Sequence, residues 1–415
     1  MMKCGCIGKK LTHSFSKEIH AMLADYSYDL IELAEEDIPA FFARRDFDAI
    51  NVTIPYKQTV IPYLDHVSDI AQKIGAVNTI VNRNGKLSGY NTDYYGMKAL
   101  IQKAGVTIQG KKVLILGTGG TSKTARAVAA DLGAAEILVV SRQKSAQTVT
   151  YEEAVKLHSD AQVILNTTPC GMYPDCGASP IDIASFAKLE GVIDAIYNPL
   201  CTHLVLDAKQ RGIRAEGGLY MLVMQAVVAV EKFLDREISK QEADRVFAQI
   251  QASKENIILI GMPGSGKSTV GRILQKTGFD FVDTDDEIEK RCGCSIRELI
   301  ETRGEAYFRD LESDVVRDVS SSSGRIIATG GGAVLRAQNV RSLRQNGKLY
   351  FLNASLDRLH AAGSRPLANT EEKIKKLYQE RMPVYRAAAD VTVPDMESAE
   401  AEAAAIIARR MEMIL

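Results

Sequence analysis

Neither sign of charge is in excess in this sequence: 51 Lys and Arg stand against 52 Asp and Glu, a formal net charge of −1 over 415 residues. Without a basic excess there is no electrostatic footprint for nucleic acid, and without an acidic one there is no case for a solvated, disordered chain. Long hydrophobic runs are missing as well. No stretch reaches the roughly 18 uninterrupted apolar residues that a membrane span needs. The opening MMKCGCIGKK has no apolar core of the kind a signal peptide carries. A soluble cytoplasmic protein is expected. The seven cysteines are an odd number scattered along the chain, which excludes a disulfide framework and leaves reduced thiols. Cys4/Cys6 and Cys292/Cys294 are spaced C-x-C, which is not the usual zinc spacing, and packing on one face of an extended strand accounts for such pairs. Nor is there a Gly/Ser-rich linker or an internal repeat.

The length itself allows two or three domains, each large enough to bury a core. Strand-like apolar runs recur between helical patterns: DAINVTI, KVLILG, AEILVVS, AQVILNTT and GVIDAIY, then NIILIG, RIIATGGG and KLYFLN. This alternation predicts an α/β protein with parallel sheets covered by helices. Leu222 to Ala248 reads as a long helix broken around DREIS, followed by polar QASKEN before the next strand at Ile257. A domain boundary is expected at 251–255, with the halves docked or semi-rigid across so short a junction. The serine run 320–323 is expected as a solvated loop, and the Ala/Glu-rich tail after Glu397 as a closing helix.

Two glycine loops carry the first chemical information. GMPGSGKS, Gly261 to Ser268, lies between the apolar run NIILI and the helical pattern STVGRILQK. Its G-x-x-x-x-G-K-S spacing cradles phosphate: backbone N–H groups around Gly261, Gly264 and Gly266 face the anion and Lys267 reaches the β/γ oxygens. The Ser268 hydroxyl holds Mg²⁺, with Thr269 beside it. The strand before and the helix after favour an ATP site over a structural turn. Earlier, KVLILGTGGTSKTARAVAADLGA puts Gly117, Gly119 and Gly120 between a strand and a helix, the arrangement that seats a dinucleotide pyrophosphate on helix N–H groups. The following strand ends in Ser141, Arg142 and Lys144 with no carboxylate to accept a ribose hydroxyl. Cations there accommodate a 2′-phosphate, so NADP is expected rather than NAD.

Upstream lie three polar clusters: THSFS with Ser14 and Ser16; NVTIPYK with Asn51, Thr53 and Lys57; and GAVNTI through GYNTD with Asn78, Asn91 and Asp93. Amides and hydroxyls at strand ends are also ordinary turn chemistry. With NTTPCGM (166–172), DAIYNPLCT (194–202) and GGLYMLVMQA (217–226) following in order, the chain from Lys3 to about Ile250 resembles the shikimate dehydrogenase family. The resemblance implies a substrate domain over 1–95, completed by helices of 220–250, and a Rossmann NADP domain over 96–219. It implies that Ser14, Ser16, Thr53, Asn78, Asp93, Tyr197 and Gln225 hold the substrate's hydroxyls and carboxylate, and that Lys57 and Asp93 form the catalytic pair. An ammonium beside a ketone can stabilise or protonate the oxygen that hydride transfer charges, which suits that assignment. The chain departs from the family where Lys10 and Lys17 replace two prolines of the first loop.

Behind the phosphate loop, FVDTDDEIEKRCGCSIRELIETRGEAYFRDLES, ATGGGAV (328–334), SRPLA (364–368) and ERMPVY (380–385) resemble shikimate kinase from about Glu255 onward. The implied domain is a P-loop α/β domain over 256–415 with a parallel sheet. In it Asp283 works with Ser268 on Mg²⁺, Asp285 takes or orients the proton of the attacking hydroxyl, and Lys267 and Arg365 stabilise the transferred group. Arg309 and Arg381 clamp the substrate carboxylate, helped by the backbone of Gly330, Gly331 and Gly332. Where the family often carries another nucleotide-contacting arginine this chain has His360, Ala361 and Ala362, which implies either weaker nucleotide binding or Arg358 as a substitute.

The two resemblances imply a bifunctional enzyme: NADPH-dependent reduction of 3-dehydroshikimate, then phosphorylation of shikimate by ATP. The alternatives are a quinate/shikimate dehydrogenase with an inactive kinase half and a non-catalytic ligand-binding regulator. Fusion implies fixed stoichiometry rather than channelling. Small molecules are the expected partners, with no nucleic acid and no membrane, and homo-oligomerisation is left open.

Overall fold

The computed structural model describes residues 2–11, 15–359 and 370–414. The chain folds into two compact units, Met1–Met172 with Ala178–Tyr197 and Asp207–Ile250, and Gln251–Leu415 with Tyr173–Gly177 and Asn198–Leu206. The two short segments are held within the second unit by hydrogen bonds, Gln345 Nε2 donating to the Cys176 carbonyl at 2.9 Å and Leu200 N to Asn346 Oδ1 at 2.9 Å.

The first unit contains two sheets. One comprises β1 (Lys3–Gly8), β2 (Ser27–Glu32), β3 (Ala49–Val52), β4 (His66–Val67), β5 (Thr79–Arg83) and β6 (Lys86–Tyr90), in the order β2-β1-β3-β5-β6-β4. It is mixed: β1 pairs in parallel with β2 and β3, but β5 runs antiparallel to β3 and β6. The hairpin between β5 and β6 turns on Asn84 and Gly85, both with positive φ (52° and 82°), the backbone that an Asn-Gly pair supplies most readily. That turn sets β6 against β5, and with β5 also running against β3 this sheet departs from the expected parallel arrangement. The second sheet is wholly parallel, β12-β11-β10-β7-β8-β9, from β7 (Lys112–Leu116), β8 (Glu136–Ser141), β9 (Val149–Thr150), β10 (Val163–Asn166), β11 (Gly191–Asp194) and β12 (Arg214–Glu216).

The second unit is built on β13 (Asn256–Ile260), β14 (Asp280–Asp283), β15 (Arg325–Ala328), β16 (Gly347–Asn353) and β17 (Val391–Pro394), parallel in the order β14-β15-β13-β16-β17. Both faces are buried. Ile258, Ile260, Ile327, Leu349 and Phe351 enter one cluster while their alternate neighbours Ile257, Leu259, Ile326, Tyr350 and Leu352 enter the other, as the period of two requires. Among the described residues no helix is long and apolar enough to cross a membrane.

Two local expectations change. QASK is helical, because the helix Lys240–Lys254 runs to within one residue of β13. Its final carbonyls are taken by Arg410, whose Nη2 donates to Ala252 O at 2.5 Å and whose Nη1 donates to Glu255 O at 3.3 Å. Ser320 is no solvated loop residue either. It closes the helix Ile296–Ser320, is buried, and donates from Oγ to Val316 O at 2.6 Å.

In the first unit, the helices Asp93–Lys103 and Leu219–Leu234 cross closely because Gly96 has no side chain: a Cβ there would sit 2.5 Å from the Met221 carbonyl oxygen. The obstacle is backbone, so it cannot swing away. Gly96→Ala should therefore lower stability in chemical denaturation by about 1–3 kcal/mol, the overpacking cost exceeding the gain in helix propensity of roughly 1 kcal/mol.

Candidate active sites

In the first unit the strand ends and helix starts converge on one pair of charges. Lys57 Nζ lies 2.5 Å from Asp93 Oδ2, with the two side chains 18% and 10% exposed. Backbone bonds fix both approaches: Val77 N donates to Lys57 O at 2.7 Å, and Asn91 Oδ1 accepts from Tyr94 N at 3.1 Å across the start of the helix that Asp93 opens. Asn91 also donates from Nδ2 to Ala76 O, so its amide shapes the turn. Thr53 stands at the end of β3, its N–H on Ile7 O. Asn78 and Gln225 are buried polar residues joined through Thr92, whose Oγ1 accepts from Asn78 Nδ2 at 3.0 Å and lies 3.4 Å from Gln225 Oε1. Ser16 is buried at the first turn of the helix Ser16–Leu23. Tyr197 packs edge-on to Phe15 with ring centroids 5.3 Å apart, and burial pushes its phenol above the usual range. Ser14 lies outside the described residues.

The glycine loop after β7 has the form a dinucleotide needs. Gly117 has φ 101° and faces Thr167 and Thr168, whereas a Cβ on Gly119 or Gly120 would meet nothing within 4 Å. The helix Gly120–Asp131 carries no acidic residue in its first turn, leaving its N–H groups suited to an anion. At the end of β8, Ser141 Oγ accepts from Gln143 N at 3.3 Å. Lys144 is ion-paired to Glu153, the acid of a capping box with Thr150. Arg142 makes no ion pair among the described residues and is exposed, so its guanidinium is available to an anion. NADP fits this site.

In the second unit, Gly261, Gly264 and Gly266 take φ of 153°, 88° and 88°, and the helix Lys267–Leu274 begins directly behind them. Lys267 is buried, its Nζ 2.9 Å from both Gly261 O and Met262 O. Ser268 Oγ donates to Asp283 Oδ2 at 2.6 Å, while Thr269 is exposed on the next position. One hydroxyl and one carboxylate are the few protein ligands that Mg²⁺ takes when phosphates and water complete its shell, so Mg²⁺ fits. Asp283 caps the helix Thr284–Cys292 by accepting from Asp285 N at 3.0 Å.

Asp285 faces the Gly330–Gly332 turn. Burial first, and the Asp283 charge second, push its carboxyl up to about 7, and its Oδ1 has no hydrogen-bond partner among the described residues. Each glycine of the turn is required by close approach: a Cβ on Gly330 would lie 2.6 Å from Asp285 Oδ1, one on Gly331 would lie 2.7 Å from Pro263 Cγ, and one on Gly332 would run into the Arg309 guanidinium. Arg381 Nη1 donates to Gly331 O at 3.1 Å, and Tyr385 donates to the same carbonyl. The sequence reading missed Glu312. It is fully buried, accepts from Arg309 Nη1 at 2.9 Å, keeps Oε1 without a partner among the described residues, and has its carboxyl raised by burial despite the arginine. Its i,i+3 spacing from Arg309 on one helix was the available signal. Arg358 does not stand free as a substitute nucleotide contact: it is bonded to Asp395, to Met396 O at 2.6 Å and to Glu402 at 3.3 Å. Arg365 and positions 360–362 lie outside the described residues.

The shikimate dehydrogenase (NADP(+)) of Clostridium perfringens strain SM101 is 35% identical over 265 residues, covering 60% of this chain and 97% of that protein. The chain belongs to the shikimate dehydrogenase family. The family model of the shikimate dehydrogenase substrate binding domain matches residues 6–80, and that of shikimate kinase matches 263–412. Among solved structures, shikimate dehydrogenase 1 from Peptoclostridium difficile is 36% identical with TM-score 0.56, covering 60% of this chain and 98% of that one. A chorismate mutase/shikimate 5-dehydrogenase fusion protein from Clostridium acetobutylicum is 34% identical with TM-score 0.57 over the same shares. The Thermus thermophilus shikimate 5-dehydrogenase, solved with NADP(H) and shikimate, is 27% identical with TM-score 0.55 over 60% of this chain and 99% of that one. An oxidoreductase and a phosphotransferase therefore share this polypeptide.

Two outcomes follow from the charges. Arg142→Ala should raise the KM for NADPH about 10–100-fold, the worth of one charge-assisted contact, and leave NADH kinetics unchanged. In the kinase half, a carboxyl near 7 is protonated below that pH and ionised above it. The kcat/KM of phosphoryl transfer should therefore fall about tenfold per pH unit below 7. The same raised pKa means that stability contributed by Asp285 is present below the unfolded carboxylate value and lost as pH rises through 7. Asp285→Asn, though inactive, should thus melt higher than wild type at pH 8, with the gain shrinking toward pH 4.5.

Proposed function

We propose that the first unit reduces 3-dehydroshikimate to shikimate with NADPH and the second phosphorylates the shikimate 3-hydroxyl with ATP, in the cytoplasm. What supports this is the presence on one chain of a paired Lys57 and Asp93 beside amide donors and of a phosphate loop faced by Asp285 and two buried arginines.

In the reductase half, bound NADPH supplies hydride to the ketone carbon. Lys57 stabilises and protonates the oxygen as charge develops, which an ammonium held at hydrogen-bond range does without reorganising. Asp93 holds Lys57 in place and accepts a substrate hydroxyl. Ser14, Ser16, Thr53, Asn78, Tyr197 and Gln225 fix the ring and its carboxylate. In the kinase half, Asp285 accepts the proton of the attacking hydroxyl, while Arg309 and Arg381 hold the carboxylate against Gly330–Gly332. Lys267 follows the transferred charge and Arg365 adds a second cation; Ser268 and Asp283 would hold Mg²⁺, which would supply charge neutralisation at the phosphate oxygens. Small molecules are the only partners this chemistry requires.

Incubation with 3-dehydroshikimate, NADPH and Mg-ATP should yield shikimate 3-phosphate by mass spectrometry. Accumulation of shikimate alone would confine turnover to the first unit, and unchanged starting material would leave a ligand-binding regulator. Lys57→Ala should abolish NADPH consumption while sparing phosphorylation of added shikimate, and Lys267→Ala should do the reverse. Loss of both activities from either change in a folded protein would rule out independent sites.

A further inference from the structure

Thr92 is wholly buried, polar, and outside the set of residues assigned above to contact ligand. Its Oγ1 lies 3.0 Å from Asn78 Nδ2, 3.1 Å from Thr79 Oγ1, 3.2 Å from Asn78 Oδ1 and 3.4 Å from Gln225 Oε1. A threonine hydroxyl has a single proton, so these contacts limit one another's direction.

Three backbone groups, which can act only one way, anchor the network. The Thr92 N–H donates to Asn78 at 2.7 Å, so the atom receiving it is the amide oxygen. The Leu222 carbonyl accepts from Gln225 at 3.0 Å, so the atom facing it is the amide nitrogen. The Asn78 carbonyl lies 3.4 Å from Asn51 Nδ2, which turns Asn51 Oδ1 toward the Tyr28 hydroxyl at 2.8 Å. From there Tyr28 donates to Asn51, and Asn51 Nδ2 to Thr79 Oγ1 at 3.2 Å. The Thr79 proton has Thr92 Oγ1 at 3.1 Å and Asn78 Oδ1 at 3.2 Å in reach, Asn78 Nδ2 donates to Thr92, and the Thr92 proton is shared between Asn78 Oδ1 at 3.2 Å and Gln225 Oε1 at 3.4 Å. Burial raises the Tyr28 phenol well above its ordinary value, which keeps the head of the chain protonated.

We propose that Thr92 is a positioning residue of the dehydrogenase site, setting the amides of Asn78 and Gln225 so that each keeps one N–H to donate to an oxygen of the ligand. Asp93 then supplies the acceptor, and the pocket distinguishes ligand oxygens by whether they accept or donate. This rests on the reading that the first unit binds a hydroxylated ring carboxylate. Without the Thr92 hydroxyl, Asn78 loses an acceptor and Gln225 a hydroxyl neighbour; within this network Gln225 is left with its backbone bond alone, Nε2 on the Leu222 carbonyl, and Asn78 with Oδ1 on the Thr92 N–H and 3.2 Å from Thr79 Oγ1.

The test is NADP-linked oxidation of shikimate by the full chain carrying Thr92→Val, which keeps shape and removes the hydroxyl, and Thr92→Ser, which keeps the hydroxyl. Expected for Thr92→Val are a shikimate KM raised about tenfold or more, kcat within about threefold of wild type, and an unchanged KM for NADP. Thr92→Ser should restore the shikimate KM to within about threefold, and adding Asn78→Ala to Thr92→Val should cost less than the two losses combined. An unchanged KM in Thr92→Val, a serine variant as impaired as the valine one, or equal losses for both substrates would overturn the proposal. If Thr92→Val does not fold, Thr79→Val carries the same test with an expected rise of about threefold, and no rise there overturns it. A wild-type chain that neither binds nor oxidises shikimate would overturn the functional reading and this proposal with it; a normal wild type with an indifferent Thr92→Val would overturn this proposal alone.

Discussion

Both sites depend on backbone lying nearer to functional groups than a Cβ would allow. Gly96 brings the helix that starts at Asp93 against the helix that carries Gln225, and a side chain there would meet the Met221 carbonyl at 2.5 Å. In the second unit, Gly330 fits between Asp285 and Glu312, and Gly332 lies under the Arg309 guanidinium. Glycine weakens the elements it enters through its backbone entropy. Here that weakness is offset by contacts no other residue permits, and the polar groups of each site are held by packing rather than by their own rotamer preferences.

The two sites manage charge in opposite ways. In the first unit, ammonium and carboxylate sit 2.5 Å apart, so each charge is compensated before any ligand arrives. In the second, Asp285 and Glu312 each keep one oxygen without a partner among the described residues, and burial raises both carboxyls even though Glu312 is ion-paired to Arg309. Buried carboxylate charge costs stability, and the nearby cations only partly compensate. A group that has to take a proton from a hydroxyl benefits from that discomfort, because its proton affinity is drawn toward neutral pH.

Much of this was legible in the sequence because the informative signals are local. The apolar runs before Gly117 and Gly261 became β7 and β13, each followed by a glycine with positive φ and then a helix. What was not legible depends on contacts between distant segments. Asn51 belongs to a cluster that also suits turn chemistry, the sequence does not single out Thr79 and Thr92, and only the folding of β3, β5 and the turn after β6 joins the three into one network. Glu312 sits three residues from Arg309, yet nothing in the sequence says that this position is wholly buried. Helix continuation through QASK was obscured by its polarity, since the cap that stabilises it comes from Arg410, more than a hundred residues away. The commitment of Lys144 to Glu153 and of Arg358 to Asp395 likewise depends on which acids fold beside them.

The contact between Pro263 and Gly331 joins the two loops of the kinase half. Pro263 belongs to the phosphate loop, and Gly331, held at its carbonyl by Arg381 and Tyr385, belongs to the turn facing the acceptor. With no room for even a methyl group between them, the nucleotide side and the acceptor side have no mechanical slack. A displacement of either loop therefore presses directly on the other, and any coupling carried through that contact acts equally in both directions.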